Sequence, residues 1–427
     1  MEFKKHLEKY LSSEEIEKLV NSFNFKDEHS LLLNTKKMSA EKFKEYFPNI
    51  EQHPFVDNGF YYNKDEYDLG KNFFHEMGVY YLQEPSAMIV SSLLNPLPGD
   101  IVLDMCAAPG GKAVQAALRM ENQGVIIAND LSKSRTGILL NNIERMGISN
   151  TIITNNDFTN ISHQYTNYFD KIILDAPCSG SGMFRKDERM LEDWSYQKVI
   201  KNAEIQKQLI IHAFDMLKQG GVLIYSTCSY SYEEDEEVVQ YLLENKDEAT
   251  LLDIPDNPSF YKSKANIGIH LFPFLFRGEG HYICLISKGQ VAAKTPQKVY
   301  KKSINAIKNG YLQQFGDTLF AIPVEVKTKG MNIIRFGVKI STIKGKDEIY
   351  SYHLSHCIEN CTRALDLLDS SACADTKGEQ ISLNANAENG IIFLTYKNIP
   401  FATSKIVNGS LKNHYPIYLR NKKFIFS

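Results

Sequence analysis

The chain has 427 residues, 43% of them hydrophobic, and a formal net charge of −3. This is long for one domain, so we expect two to four domains and a large core. There is no apolar run of about 18 residues and no short apolar stretch after basic residues at the start, which excludes a membrane span and a signal peptide. Seven cysteines, an odd number without paired metal-type spacing, favour a reducing, cytoplasmic location.

The first region predicts a small α+β unit. Ser12 and Glu15 have the spacing of a capping box, and an amphipathic helical pattern follows them. A short apolar strand is predicted over residues 31–34, and then a helix that stops at Pro48. We therefore expect residues 1–85 to form an N-terminal α+β lead-in.

Residues 86–288 alternate apolar runs with helical patterns, which is typical of βαβ units and a mostly parallel sheet. Acidic residues close four successive apolar runs: Asp104, Asp130, Asp157 and Asp175. Parallel strands end at one edge of a doubly wound sheet, so these carboxylates should surround one crevice. Carboxylates there can accept hydrogen bonds from ribose hydroxyls and a base edge. The pattern predicts an α/β fold with a Rossmann-like sheet and a nucleotide-like cofactor.

The turn after the first of these strands reads DMCAAPGGK over residues 104–112. A Pro-Gly-Gly bend between strand and helix brings backbone amides close to a ligand. The cofactor-binding residues predicted in this loop are Cys106, Ala107, Ala108, Pro109, Gly110, Gly111 and Lys112. The alternative is a phosphate loop for phosphoryl transfer, which needs a glycine at position 106 and a hydroxyl residue at position 113. Cysteine and alanine stand there, so this alternative is disfavoured.

Two cysteines lie at the ends of the fourth and fifth predicted strands of this region. Cys178 is part of DAPCSGSG (residues 175–182), and Cys228 is part of YSTCS (residues 225–229). A single free cysteine is usually a small buried hydrophobe. Both of these, however, fall at the sheet edge that holds the acids, where loops collect catalytic groups. Two thiols beside a cofactor site indicate covalent catalysis.

These three motifs, in this order and spacing, resemble the signature of the Nol1/Nop/Sun family of RNA cytosine-5 methyltransferases. The resemblance covers roughly residues 25–288. Three further segments are similar to the RsmF-like, ribosomal-RNA branch of that family: GMFRKD (182–187), GEGHY (278–282) and NGSLKNHYP (408–416). The narrower resemblance therefore extends close to the end of the sequence.

The resemblance implies an S-adenosylmethionine-dependent enzyme that forms a covalent cysteine–cytosine intermediate. It assigns to Cys228 the addition to carbon 6 of the ring, which activates carbon 5. It assigns to Cys178 assistance in the loss of the carbon-5 proton and in release of the enzyme. Asp175 would hydrogen-bond the ring and border the cofactor. The target base must leave its stack to reach such a pocket.

For the cofactor, the resemblance implies Lys112 near the methionine end, Asp130 at the ribose and Asp157 at the adenine. The implied substrate is structured RNA, with 16S rRNA of the small ribosomal subunit as the target. A tRNA substrate and a noncatalytic RNA-binding role remain alternatives. We expect a monomer that needs neither a metal ion nor a membrane.

Charge is distributed unevenly along the chain. Residues 231–256 hold ten acids against one lysine and predict an acidic helix start. Residues 289–310 hold five lysines and no acid, which fits either a linker or a phosphate-binding segment. The net charge therefore conceals local basic segments.

Short alternating apolar runs predict two β-rich units after the catalytic region. We expect a linker with an intermediate domain over residues 289–376, and a domain over 377–427 that resembles PUA-like RNA-binding modules. Residues 401–427 hold no acid and five basic residues, Lys405, Lys412, Arg420, Lys422 and Lys423. A zinc site built on Cys357 and Cys361 is disfavoured, because no second cysteine pair completes a tetrahedral set.

Overall fold

A computed structural model describes residues 2–186, 189–291, 310–345, 347–358, 363–383, 387–420 and 422–426, together with Ile307 and Cys361. The lysines of the predicted linker, Lys294, Lys298, Lys301, Lys302 and Lys308, lie outside the described residues. Within the described residues, no helix has the length and apolar character that crossing a membrane requires.

The N-terminal lead-in is an antiparallel sheet with short helices. Its helices are α1 (Glu2–Leu7), α2 (Ser13–Ser22), α3 (Ala40–Tyr46) and α4 (Phe73–Glu76). Its strands are β1 (His29–Leu33), β2 (Glu51–Gln52), β3 (Gly59–Tyr62) and β4 (Tyr80–Leu82), in the order β2-β3-β1-β4. The predicted capping box is confirmed, since the Ser12 side chain accepts from the Glu15 amide and the Glu15 side chain accepts from the Ser12 amide.

The central region alternates helices and strands. Its helices are α5 (Pro85–Leu94), α6 (Gly111–Arg119), α7 (Lys133–Arg145), α8 (Phe158–Ile161), α9 (Arg189–Glu192), α10 (Tyr196–Met216) and α11 (Glu236–Asn245). Its strands are β5 (Ile101–Asp104), β6 (Val125–Asn129), β7 (Thr151–Thr154), β8 (Phe169–Asp175), β9 (Leu217–Thr227), β10 (Ala249–Leu251), β11 (Ile269–Leu271) and β12 (His281–Lys288).

The C-terminal region is β-rich, as predicted. Its strands are β13 (Tyr311–Phe315), β14 (Thr318–Ile322), β15 (Ile333–Phe336), β16 (Val338–Lys344), β17 (Asp347–Tyr350), β18 (Ala364–Asp366), β19 (Ile381–Ser382), β20 (Gly390–Tyr396), β21 (Ile399–Val407) and β22 (Ser410–Asn413). Its helices are α12 (Tyr352–Cys357) and α13 (Asp369–Lys377). The strands form two further sheets, β13-β14-β16-β17 and β18-β20-β21-β22-β19.

The central sheet has the order β10-β12-β9-β8-β5-β6-β7-β15, with β11 paired to β12. Strands β9, β8, β5, β6 and β7 run parallel, and the pairs β9–β12 and β7–β15 are antiparallel. Every residue of β6 is buried, because helices cover both faces of the sheet and each face carries its own apolar cluster. The predicted α/β fold with a Rossmann-like sheet is confirmed.

One edge strand of this sheet comes from further along the chain than residues 86–288. Strand β15 pairs with β7, with Ile333 opposite Thr154 and Phe336 opposite Ile152. The alternating pattern of β15 predicts a strand, but nothing in it says which sheet the strand joins. The region after residue 288 therefore adds an edge strand to the central sheet and also forms sheets of its own.

The lead-in and the last β-rich unit share one hydrophobic core, in which Phe73 of α4 packs against Tyr396 and Phe401 with ring centroids 5.4 and 5.2 Å apart. Buried Glu76 lies beside this core and accepts hydrogen bonds from the Tyr352 hydroxyl at 3.0 Å and the Tyr415 hydroxyl at 2.9 Å. Lys422 Nζ lies 2.9 Å from the same carboxylate. The two ends of the described chain are thus packed together rather than joined only by a linker.

Candidate active site

The ends of four neighbouring strands form one edge of the central sheet. Asp104 ends β5, and Asp130 directly follows β6. Asp175 ends β8, and Cys228 directly follows β9. The parallel pairing of these strands therefore brings together three of the predicted acids and one of the predicted thiols.

The predicted cofactor loop folds over the end of β6. The Ala107 amide donates to the carbonyl of Asn129 at 2.6 Å, and the Ala108 amide donates to Asp130 Oδ2 at 3.3 Å. Gly110, with φ of 118°, makes the turn into α6, which begins at Gly111. The unpaired amides at the start of α6 thus point toward the edge that holds the acids.

Asp130 is almost fully buried beside this loop. Its Oδ1 accepts from the Ser132 amide at 2.8 Å, and its Oδ2 lies 3.2 Å from Arg135 Nη1. The Arg135 side chain is 53% exposed, so it can leave the carboxylate without losing a buried position. A ligand that donates hydrogen bonds to this carboxylate can therefore take the place of Arg135.

Asp157 stands apart from the other three acids. It lies three positions beyond the end of β7, is exposed, and caps α8 by accepting from the Thr159 amide at 3.0 Å. Its other carboxyl oxygen accepts from Asn160. The described contacts of Asp157 are local, and its assignment to the adenine stays a prediction.

Asp175 lies in a cluster of donors. Lys112 Nζ is 2.8 Å from Asp175 Oδ2, while Ser226 Oγ donates to Oδ1 at 2.8 Å and His281 Nε2 is 3.3 Å from Oδ1. Burial alone would raise the pKa of Asp175, but Lys112 and His281 hold that pKa well below its ordinary value. Asp175 is therefore an ionised acceptor. The sequence predicted Lys112 and Asp175 but missed His281, although the GEGHY segment contains it.

Asp104 differs from Asp175 because its pKa is raised rather than lowered. Both of its carboxyl oxygens are buried without a hydrogen-bond partner of good geometry among the described residues. Burial raises the pKa of Asp104 to about 8, against the opposing charge of Lys112 and with the added repulsion of Asp175. An orphaned buried carboxyl group of this kind suits a ligand that carries a positive charge.

The two predicted thiols meet. Cys178 Sγ and Cys228 Sγ are 3.2 Å apart, although they belong to loops that follow different strands. The hydrogen bond to Cys228, together with burial, raises the pKa of the Cys178 thiol well above its ordinary value. In the resting site Cys178 is therefore a protonated thiol.

A buried ion pair connects two of the RsmF-like segments beside the thiols. Arg185 and Glu279 meet in a two-pronged contact, with Nε–Oε2 at 2.9 Å and Nη2–Oε1 at 3.0 Å, and their side chains are 4% and 3% exposed. In the same loop, a Cβ added to Gly182 would stand 2.9 Å from the carbonyl oxygens of Cys228 and Gly280. Only glycine allows these three backbone segments to come so close.

The four acids at 233–236 make contacts in the interior, whereas their composition suggests a solvent-exposed surface. Its last member, Glu236, begins α11, as the predicted acidic helix start requires, but all four acids are buried. Glu233 contacts α1, Glu234 contacts the cysteine loops, and Glu236 pairs with His270 at 2.9 Å. The sequence missed these contacts because a run of acids usually indicates a solvated surface.

The residues of the disfavoured zinc site have other contacts in the part of the chain that the structure describes. His353 Nε2 lies 2.9 Å from the carbonyl of Ile148, and Cys357 packs in an apolar cluster. Among the described residues, the metal-ligating side chains of Asp235, Glu236 and His270 come together, with ligand atoms within 4.8 Å of one another. Neither Cys357 nor His353 belongs to that group.

Comparison with known proteins agrees with the site. The sheet order and the helices on both faces define a Rossmann-like methyltransferase fold, which a methyltransferase homologue from Pyrococcus horikoshii shares with a TM-score of 0.58 at 29% identity, over 66% of this chain and 93% of that one. NSun6 from the same organism, solved with SFG, has a TM-score of 0.60 at 22% identity, over 67% of this chain and 98% of that one. The second likeness concerns the fold alone.

Family models match three parts of the chain: 16S rRNA methyltransferase RsmB/F over residues 91–287, the N-terminal domain of 16S rRNA methyltransferase RsmF over 1–85, and the methyltransferase RsmF PUA domain over 363–421. Ribosomal RNA small subunit methyltransferase F of Pectobacterium atrosepticum is 31% identical over 91% of this chain and 88% of its own length. The corresponding protein of Aliivibrio fischeri is 37% identical, and the match spans 64% of this chain and 60% of that relative. The chain belongs to the RsmB/F family of 16S rRNA methyltransferases, which confirms the resemblance.

Proposed function

We propose that this protein transfers a methyl group from S-adenosylmethionine to carbon 5 of a cytosine in 16S rRNA, through a covalent bond between Cys228 and the base. The observation that carries the proposal is the 3.2 Å contact between Cys228 and Cys178 at the edge that also holds Asp175 and the cofactor loop. One thiol can make the covalent bond, and the other can help to break it. All these groups come from one chain, so we infer that a monomer suffices.

The reaction must activate a ring carbon that is a poor nucleophile. Cys228 loses its thiol proton, which ring nitrogen 3 takes up, and its sulfur adds to carbon 6, so that the displaced electron pair makes carbon 5 nucleophilic. Asp175 is ionised and accepts the new N3–H hydrogen bond, which stabilises the activated ring. After methylation, the protons on carbon 5 and nitrogen 3 leave to water, and Cys178 assists the first of these losses. The electron pair of the broken C–H bond re-forms the double bond between carbons 5 and 6, which expels the Cys228 thiolate, and this thiolate regains a proton.

The residues at the sheet edge fit S-adenosylmethionine. When bound, this cofactor supplies an electrophilic methyl group on a sulfonium, and its methionine part carries an ammonium. The orphaned carboxyl group of Asp104 matches such positive charge, and Lys112 stands beside it for the carboxylate of the methionine part. Asp130 would hold the ribose, and Asp157 would lie at the adenine. The loop of residues 106–111 would line the cofactor site.

We expect Asp130→Ala to weaken the binding of S-adenosylmethionine by about ten- to hundredfold, or roughly 1.5–3 kcal/mol, because the ribose hydroxyls lose a charged acceptor. Isothermal titration calorimetry measures this change. Asp256→Ala is the matched control, because that side chain is 90% exposed and pairs only with Lys262 among its described contacts. An unchanged affinity in a folded Asp130→Ala variant would remove Asp130 from the cofactor site.

The RNA target is proposed from a basic surface on the PUA unit. Lys405 on β21 and Lys412 on β22 are directly opposite each other, so two positively charged residues lie close together on this sheet. Lys405 and Lys344 also lower the pKa of His414, after the larger effect of burial. Phosphate groups of a structured RNA that also reaches Cys228 would neutralise this surface. Two other predicted phosphate contacts already bind groups of the protein itself: Arg420 donates to the carbonyl of Tyr415, and Lys422 pairs with Glu76.

We expect Lys405→Glu with Lys412→Glu to weaken the binding of 16S rRNA fragments and to reduce the salt dependence of that binding, because fewer counterions are released. The affinity for S-adenosylmethionine should stay unchanged. Lys262→Glu, at an exposed lysine far along the chain, serves as the control. Equal salt slopes in wild type and double variant would contradict the proposed phosphate contact. Deletion of residues 377–427 is a poor substitute for these variants, because it would also remove ten of the 25 buried residues of the shared core.

Bisulfite mapping of RNA from cells with and without this protein tests the function itself. Loss of a 5-methylcytosine from small-subunit rRNA would support both the activity and the target. Loss from tRNA alone would keep the activity and overturn the target. No lost mark in any RNA would favour the noncatalytic alternative. An enzyme with this target would work in the compartment that assembles ribosomes, which for a bacterial-type enzyme is the cytoplasm.

A further inference from the structure

Glu234 is a fully buried carboxylate that accepts hydrogen bonds from four donors. The Ser179 amide donates to Oε1 at 2.8 Å, and the Ser179 hydroxyl donates to Oε2 at 2.5 Å. The Ser229 hydroxyl donates to Oε2 at 2.6 Å, and Gln206 Nε2 lies 3.3 Å from Oε1. A carboxylate is the side chain that can accept at both oxygens from so many donors.

These donors belong to the two cysteine loops or contact one of them. Ser179 directly follows Cys178, and Ser229 directly follows Cys228. Gln206, on α10, also donates to the carbonyl of Pro177 at 2.8 Å, immediately before Cys178. One carboxylate thus fixes the two cysteine loops to each other and to a long helix.

We propose that Glu234 is a positioning residue for the methyl transfer, and that it holds the two thiols in contact by binding the residue after each of them. The proposal rests on the proposed function and adds a residue to it. The thiol loops follow different strands and are 50 positions apart in the chain, and Glu234 is one of the residues that join them. A displacement of about 1 Å between reacting groups can cost on the order of 10²-fold in rate.

Electrostatics supports the same assignment. The titratable groups that face Cys178 are Cys228, Glu234 and Asp175, and each of them raises the pKa of the Cys178 thiol, with the hydrogen bond to Cys228 as the largest cause. Burial raises the pKa of Glu234 itself, and the hydroxyls of Ser179 and Ser229 oppose that rise. Removing the Glu234 carboxylate should therefore lower the pKa of Cys178, both by loss of charge and by loosening of the thiol contact.

The acidic run at 233–236 also contains a suitable control residue for a substitution of Glu234. Glu233, the preceding residue, is also buried, but it lies 3.2 Å from His6 Nε2 and 3.3 Å from Lys9 Nζ of the N-terminal segment. It has no described hydrogen bond to either cysteine loop. Glu233→Gln therefore matches Glu234→Gln in chemistry, burial and chain position, and differs in what the side chain touches.

The test compares Glu234→Gln and Glu233→Gln, each in the wild-type and in the Cys178→Ala background. We expect Glu234→Gln to slow covalent adduct formation with 16S rRNA in the Cys178→Ala background by about tenfold or more. Its kcat should fall while KM for RNA and the affinity for S-adenosylmethionine stay unchanged. Peptide mass spectrometry of iodoacetamide-treated protein should place the alkylation midpoint of Cys178 at lower pH. Glu233→Gln should change none of these quantities.

A folded Glu234→Gln variant with wild-type adduct rate and an unshifted Cys178 midpoint would overturn the inference. If Glu234→Gln does not fold, Ser229→Ala replaces it, because it removes one donor, and we expect a smaller change in the same direction. An unchanged adduct rate and midpoint in folded Ser229→Ala would count against the proposal. If the parent Cys178→Ala enzyme gives no adduct with any RNA, the proposed function fails instead, and the two failures are distinguishable.

Discussion

Cys228→Ala should reduce methylation by about 10⁴-fold or more and should leave no covalent RNA adduct, because it removes the sulfur that is proposed to bond to carbon 6. A single-turnover assay with labelled S-adenosylmethionine measures the first effect, and a denaturing gel measures the second. Cys284→Ala is the matched control, since that cysteine is buried in an apolar cluster away from the thiol pair.

Cys178→Ala should behave differently from Cys228→Ala. The covalent bond still forms, but the step that releases the enzyme loses its assisting group, so a protein–RNA complex should accumulate and survive the denaturing gel. If Cys228→Ala trapped RNA and Cys178→Ala did not, the roles of the two thiols would be reversed.

Arg185→Leu should lower the free energy of unfolding of the catalytic region by about 3–5 kcal/mol, because it leaves the buried carboxylate of Glu279 without its partner. Thermal denaturation monitored by circular dichroism tests this. Arg277→Leu is the control: its side chain is 52% exposed and its ion pairs with Glu28 and Glu51 lie at the surface, so we expect a cost of about 0–1 kcal/mol.

The loss of stability in Arg185→Leu should grow as pH rises. Burial already raises the pKa of Glu279, and loss of Arg185 removes the charge that opposes the rise. A carboxyl group with a raised pKa in the folded state binds its proton more tightly there, so the defect should be smallest at acidic pH and grow as pH rises through that pKa. Adding Glu279→Leu to Arg185→Leu should recover part of the stability. A defect that does not change with pH would contradict the buried, unpaired carboxylate.

Much of the site could be predicted from sequence because its signals are local. Asp104, Asp130 and Asp175 each stand at the end of an apolar run, and parallel pairing places such ends together. Cys178 and Cys228 could be singled out for the same reason. Their 3.2 Å contact could not, because it depends on how two loops fold back toward each other.

The contacts that sequence reasoning missed are non-local. Glu234 lies in an acidic run, and only the packing of α10 and the cysteine loops turns it into a buried acceptor. His281 reaches Asp175 because β12 adds antiparallel to β9. Strand β15 has an ordinary alternating pattern and joins the central sheet through its partner β7. In each case the residue type is visible in the sequence, but its partner is chosen by tertiary structure.

The core that the lead-in shares with the last β-rich unit has a consequence for how the protein is made. Residues 29–82 leave the ribosome first, but their apolar face is covered by side chains from residues 392–419. At about 5–20 residues per second, the roughly 310 residues between them take about 15–60 s to synthesise. During that interval the lead-in has to be shielded by a chaperone or by nascent contacts, and a chain that stops early keeps an uncovered apolar surface that proteases can recognise.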